Sequence, residues 1–122
     1  MNHPLNFIFV GSSKLLYSCA DIIKTYYGDK AHIAILDTAY SPMNRSYKTK
    51  FPELFDCSTK DEVFEILDGN NRGIILSINN PYIIPKRFYE NSEYTIINLH
   101  HALLPHHPGR NAEACAIFDQ DK

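Results

Sequence analysis

The residues best suited to chemistry are gathered in one short stretch, residues 98–109, NLHHALLPHHPG. It holds His100, His101, His106 and His107, four of the six histidines in the chain, together with Asn98. Three kinds of behaviour are open to it. Imidazoles are good zinc ligands. The stretch has no acidic or thiol partner, however, and neighbouring side chains on an extended chain point to opposite sides, so a metal site would need ligands from elsewhere. A loop histidine can also be no more than a solvated side chain, and an Asn no more than a turn cap. Third, Asn98 and His100 are two residues apart, which on a strand puts them on one face. An amide N–H can then donate to an oxyanion developing on a carbonyl. The imidazole can donate to the same oxygen or relay a proton. Such a pair suits nucleophilic attack at a carbonyl carbon.

Asn98 falls near the end of an apolar run, residues 94–99 (YTIINL), that reads as a strand. Residues 5–10 (LNFIFV), 31–36 (AHIAIL) and 73–78 (GIILSI) predict three more. Between the first two, Leu15, Leu16, Cys19, Ile22, Ile23 and Tyr26 recur at helical spacing. Ser12 or Ser13 is placed to cap that helix, and Gly28 to stop it. Ser58 and Thr59 precede a second helix over residues 61–67 (DEVFEIL), closed by Gly69, Asn70 and Asn71. The stretch after Asp37, with Pro42, Asn44 and Pro52, predicts an irregular connection with at most a turn of helix. Residues 85–89 read as a short helix opened by Pro85, and residues 112–118 (AEACAIF) as the start of another.

Continuously apolar strands alternating with helices predict one domain over residues 1–122. Its fold class is α/β, a three-layer, mostly parallel, Rossmann-like sheet with helices on both faces. In such sheets sites lie beyond the carboxyl ends of the strands. Three segments meet that condition: Gly11 with Ser12 and Ser13, residues 77–85, and Asn98 onward.

Composition narrows the partners. The net charge of −2 predicts no nonspecific attraction to nucleic acid or anionic lipid. Cys19, Cys57 and Cys115 are widely spaced and odd in number, as free thiols of a reducing cytoplasm would be. The apolar run at the N-terminus is too short for a signal peptide or a membrane span. The expectation is a cytoplasmic protein that does not enter membranes.

Asn98, His100, Leu103, Leu104, Pro105 and Gly109 together resemble the motif N-x-H-x-S-L-L-P-x-x-x-G. That motif marks the formyltransferases that use 10-formyltetrahydrofolate. The family includes the methionyl-tRNA, glycinamide ribonucleotide and nucleotide-linked amino-sugar N-formyltransferases. The resemblance runs upstream through GIILSINNPYIIPKRFYENSEYTIINLH, and more weakly to VGSS near the start. It implies a formyltransferase-like version of the sheet and transfer of a formyl group to a primary amine of a small substrate. Asn98 and His100 would be catalytic. Ile83 and Ile84, flanked by Tyr82 and Pro85, would hold the pterin ring through backbone groups. Gly11, Ser12 and Ser13 would anchor the acceptor.

The family also places a catalytic Asp some way downstream of the His. Asp119 and Asp121 lie too close to serve, so the expectation is a domain incomplete at its C-terminus, holding part of the site. Ala102 stands where the family has Ser, His106, His107 and Pro108 precede the Gly, and Cys115 falls where amino-sugar enzymes often have Trp. Arg110 and Asn111 after the Gly favour a nucleotide-linked amino sugar as acceptor. The mildly acidic charge disfavours tRNA. The alternatives are a noncatalytic folate- or nucleotide-binding module and a His-cluster metal protein. An unfinished sheet edge invites association into a homodimer.

Overall fold

The computed structural model describes residues 5–90 and 92–99 of the chain. The first strand, β1 (Leu5–Gly11), runs into helix α1 (Ser13–Tyr27) through Ser12, which is extended as a helix N-cap should be. The helix stops at Gly28, whose left-handed φ of 56° lets its N–H turn back to the carbonyl of Lys24. Strand β2 (Ala31–Asp37) follows. A 3-10 turn (Pro42–Asn44) and a short helix α2 (Ser46–Lys50) lead to β3 (Leu54–Asp56).

Helix α3 (Lys60–Asn70) opens with a capping box. The Glu62 N–H donates to Thr59 Oγ1 at 3.3 Å, and the Thr59 N–H donates to Glu62 Oε1 at 3.0 Å. It ends at Asn71, in the left-handed region at φ 65°. Strand β4 (Arg72–Ile78), a 3-10 turn (Lys86–Phe88) and β5 (Glu93–Leu99) complete the described chain.

The five strands form one sheet in the order β3-β2-β1-β4-β5, every pair parallel. The chain works outward from β1 to one edge, then returns to β4 on the other side of β1. Strand order therefore reverses between β1 and β4. Alternation along the strands sorts their side chains onto two faces. Phe7, Phe9, Ile35 and Ile78 pack with Leu16, Tyr17 and Ala20 of α1 and with Phe51. Ile8, Val10, Leu36 and Ile75 pack on the opposite face with Val63 and Leu67 of α3, Phe88 and Tyr94. Burying each such side chain is worth about 1.5–3 kcal/mol. The result is a three-layer, Rossmann-like α/β fold. No helix among the described residues is long and apolar enough to cross a membrane.

The four predicted strands and the two main helices are present, each within a few residues of its expected bounds. The connection after Asp37 is more regular than predicted. It contains α2 and a fifth strand, β3, which pairs with β2 through only three residues, Ile35↔Leu54, Leu36↔Phe55 and Asp37↔Asp56. A strand of three residues is too short to show a period of its own. The predicted helix over residues 112–118 lies outside the described residues.

Candidate functional site

The crevice between β1 and β4 is where a sheet of this order places its ligands. Gly11 makes the crevice narrow. Its φ is 146°, and a Cβ there would sit 1.7 Å from the carbonyl oxygen of Ile78. Only glycine lets the two strand ends come this close. The Ser12 N–H donates to the same Ile78 oxygen at 3.0 Å, and Gly11's own carbonyl accepts from the Thr38 N–H at 2.7 Å. The β1 turn is thus fastened on both sides. Beyond it, the Ser12 hydroxyl donates to the Asn79 carbonyl at 3.3 Å, and the Asn79 amide donates to Ser13 Oγ at 2.9 Å. Ser13 and Asn79 both have positive φ, 85° and 51°.

A cleft of about 470 Å³ adjoins this crevice on the α3 face. Asn98, Ile96 and Ser77 contribute from the strands, and residues 80–84 with Tyr89 form its outer wall. Ser77 and Asn98 are register partners, so they lie side by side on one face. Ser77 is buried, and its hydroxyl accepts from the Asn80 side-chain amide at 3.1 Å. The Asn80 side-chain oxygen, Oδ1, in turn accepts from the Tyr82 N–H at 3.1 Å, which shapes the wall as a tight turn. The Tyr82 hydroxyl reaches the Ser58 carbonyl at 3.2 Å, tying that wall to the segment before α3. Tyr82 and Ile84 pack against the core, whereas Ile83 stands 88% exposed. The lining offers amides, a hydroxyl, aliphatic carbons and two phenol rings. Among the described residues that line it there is no carboxylate and no cation. That chemistry suits a flat, uncharged heteroaromatic ring, with the Asn98 amide at the end of β5 beside it.

The structure brings together Asn98, Tyr82, Ile83 and Ile84 in this one cleft. Pro85 leads into the 3-10 turn that follows. Gly11, Ser12 and Ser13 stand at the adjoining crevice, bonded to the exit of β4. His100 and the rest of the 98–109 motif beyond Leu99 lie outside the described residues. Among the described residues no group of three or more His, Cys, Asp or Glu side chains could hold a metal ion.

Several functional neighbours were not legible from sequence. Asn79 and Asn80 fall within the segment 77–85, but no sequence pattern gives either a task of its own, although an Asn just past a strand is a residue that tolerates left-handed backbone. Asp37, at the carboxyl end of β2, is 1% exposed. It accepts from the Tyr17 hydroxyl, from the Ala39 N–H at 2.9 Å and from the Asn44 amide at 3.2 Å. A lone acid ending an apolar strand was the available signal. Burial and then the Asp37 carboxylate push the Tyr17 phenol well above its ordinary value, so it stays a donor. The network anchors the segment after β2 rather than serving the cleft.

The thiols of the described residues are not ready nucleophiles. Burial, then the charges of Glu62, Asp56 and Asp37, push Cys57 up to about 11, and burial also raises Cys19. Neither is in a disulfide.

A scan against protein-family models matches no family, and searches of curated proteins and of solved structures return no match.

Proposed function

We propose that the chain binds 10-formyltetrahydrofolate and takes part in transfer of its formyl group to a primary amine of a small substrate, with a nucleotide-linked amino sugar as the favoured acceptor. One observation carries the reading: Asn98, at the end of β5, shares a cleft with Tyr82, Ile83 and Ile84, the residues that the motif resemblance assigns to the pterin. The described lining residues, amide-rich and without a charged side chain among them, fit a pterin, which offers ring N–H groups and a carbonyl.

The folate supplies an activated formyl carbon; the acceptor amine gains it and gives up a proton, while the folate nitrogen takes a proton in its place. Asn98 donates its amide N–H to the carbonyl oxygen as negative charge develops there. His100 supports the same oxygen and moves the amine proton. Backbone groups at Ile83 and Ile84 hold the ring edge, and the turn at Gly11, Ser12 and Ser13 anchors the acceptor. On this reading Asn98 and His100 are two of the three groups that the reaction uses, an Asp being the third. It works in the cytoplasm, in keeping with the free thiols of Cys19 and Cys57, and associates as a homodimer.

Titration with a stable folate analogue tests it. Saturable binding that is weakened by Ile84→Asp is expected. Folded protein that shows no binding overturns the reading. In an active form of the protein, Asn98→Ala is expected to lower turnover about a hundredfold, the effect of removing one oxyanion donor. Full activity in that variant removes Asn98 from the mechanism. Binding without transfer in every form tested would leave a noncatalytic folate-binding module.

A further inference from the structure

Asn79 stands where three strand ends meet. Its backbone N–H donates to the carbonyl of Leu99, at the end of β5, at 3.4 Å. Its carbonyl accepts from the Ser12 hydroxyl at 3.3 Å, and its side-chain amide donates to Ser13 Oγ at 2.9 Å. The backbone turns sharply straight out of β4 at this residue, at φ 51°. Asn reaches that region more readily than other residues with a Cβ.

Leu99 directly follows Asn98, so the bond to its carbonyl ties down the end of β5 that carries Asn98. On the other side Asn79 is joined directly to Asn80, whose amide holds the Ser77 hydroxyl and whose side-chain oxygen holds the Tyr82 N–H. Asn79 is therefore bonded to the β1 turn and to the end of β5, and is joined in sequence to the residue that shapes the outer wall. The bonds that Asn79 itself makes are not local in sequence, Ser13 being 66 residues away.

We propose that Asn79 is a positioning residue: held by Ser12 and Ser13, it sets the spacing between Asn98 and the wall formed by residues 80–84. The proposal rests on the folate reading for its ligand but not for its geometry. It also gives the two Ser hydroxyls a task inside the protein, that of holding Asn79.

Glycine variants separate positioning from simple stability, because glycine keeps the positive φ while deleting the bond. Ser13→Gly is expected to keep or raise the unfolding midpoint while weakening binding of the folate analogue about five- to tenfold, the scale of one hydrogen bond. Asn79→Gly should weaken binding to the same degree, and the double variant no further, because both changes remove one interaction. Asn79→Asp retains an acceptor for the Ser13 O–H and should restore part of the affinity. Amide chemical shifts supply a readout that needs no ligand: Ser13→Gly should move the signals of residues 80–84 and of Asn98. Shifts confined to residues 11–14 and 79 overturn the proposal, as does unchanged affinity in both glycine variants. If the unaltered protein fails to bind the analogue while the shifts do spread to residues 80–84 and Asn98, the positioning role stands and the folate reading falls.

Discussion

Replacing Gly11 by alanine probes the narrowest point of the structure. The added Cβ would lie 1.7 Å from the Ile78 carbonyl oxygen and 2.6 Å from its carbon, and both are backbone atoms of a buried strand that cannot swing away. Ordinary contact needs roughly 3.4 Å, so β1 and β4 must part by well over an ångström. That parting breaks the bond from the Ser12 N–H to Ile78, whose loss leaves a buried pair unsatisfied at about 1–3 kcal/mol. The positive φ adds about 1–3 kcal/mol for a residue with a Cβ. The expected loss is about 4 kcal/mol. At roughly 4 °C per kcal/mol for a chain of this size, Tm should fall by on the order of 15 °C.

Gly28→Ala is the control. Its φ of 56° is also unfavourable for alanine, but nothing lies within 4 Å of the added carbon, so only the backbone cost of about 1–2 kcal/mol applies. Gly69, inside α3 with open space around it, should gain about 0.5–1 kcal/mol as alanine. Urea unfolding followed by circular dichroism ranks the three variants. A Gly11→Ala protein within 1 kcal/mol of Gly28→Ala would refute the steric reasoning, since the close approach would then be slack.

Cys57 makes stability depend on alkaline pH. Its thiol is pushed from 9.0 up to about 11 in the folded protein, so the unfolded chain gives up the proton first. The stabilisation is intact below pH 9 and is lost as pH rises towards 11, by about 2–3 kcal/mol in all. Urea midpoints across that window should fall less steeply in Cys57→Ala than in the unaltered protein; parallel curves would count against a buried, protonated thiol. Thr59→Ala removes the side-chain half of the capping box, leaving the bond from its backbone N–H to Glu62, and should cost about 1 kcal/mol, with Thr59→Ser near neutral; equal losses in the two variants would show that the hydroxyl is not the cap. Tyr17→Phe takes one donor from the buried Asp37 carboxylate and should cost about 1–3 kcal/mol by thermal unfolding, an effect absent if water replaces the phenol.

What could be read from the sequence was what depends on neighbours along the chain. The apolar runs of β1, β2, β4 and β5, the Thr59 cap and the Gly28 stop are local signals, and each appears where its physics puts it. The shared face of Ile96 and Asn98 follows from a period of two. β3 was missed because Leu54, Phe55 and Asp56 are strand only by virtue of pairing with β2. The fates of Ile83 and Ile84 could not be separated either. Two adjacent apolar residues beside a turn look alike until the fold turns one inward and leaves the other 88% exposed. The tasks of Asn79 and Asp37 depend on partners brought in by the sheet, and no local pattern records them.

The reversal of strand order between β1 and β4 also bears on when the site comes into being. Gly11 aligns with Asp37 on one side and with Ile78 on the other, and the second alignment closes a loop more than twice as long. Closing it costs roughly 1 kcal/mol more in chain entropy. The half-sheet of β1, β2 and β3 can therefore assemble while β4 and β5 are still absent, and at that stage Ser12, Ser13 and the turn they form have no opposite wall. Local opening follows the same seam in reverse: if β4 separates from β1, the first half keeps its hydrogen-bonded strands and the crevice disappears. Ligand binding at this seam would act as a clasp, holding together two parts of the sheet that the chain itself joins last.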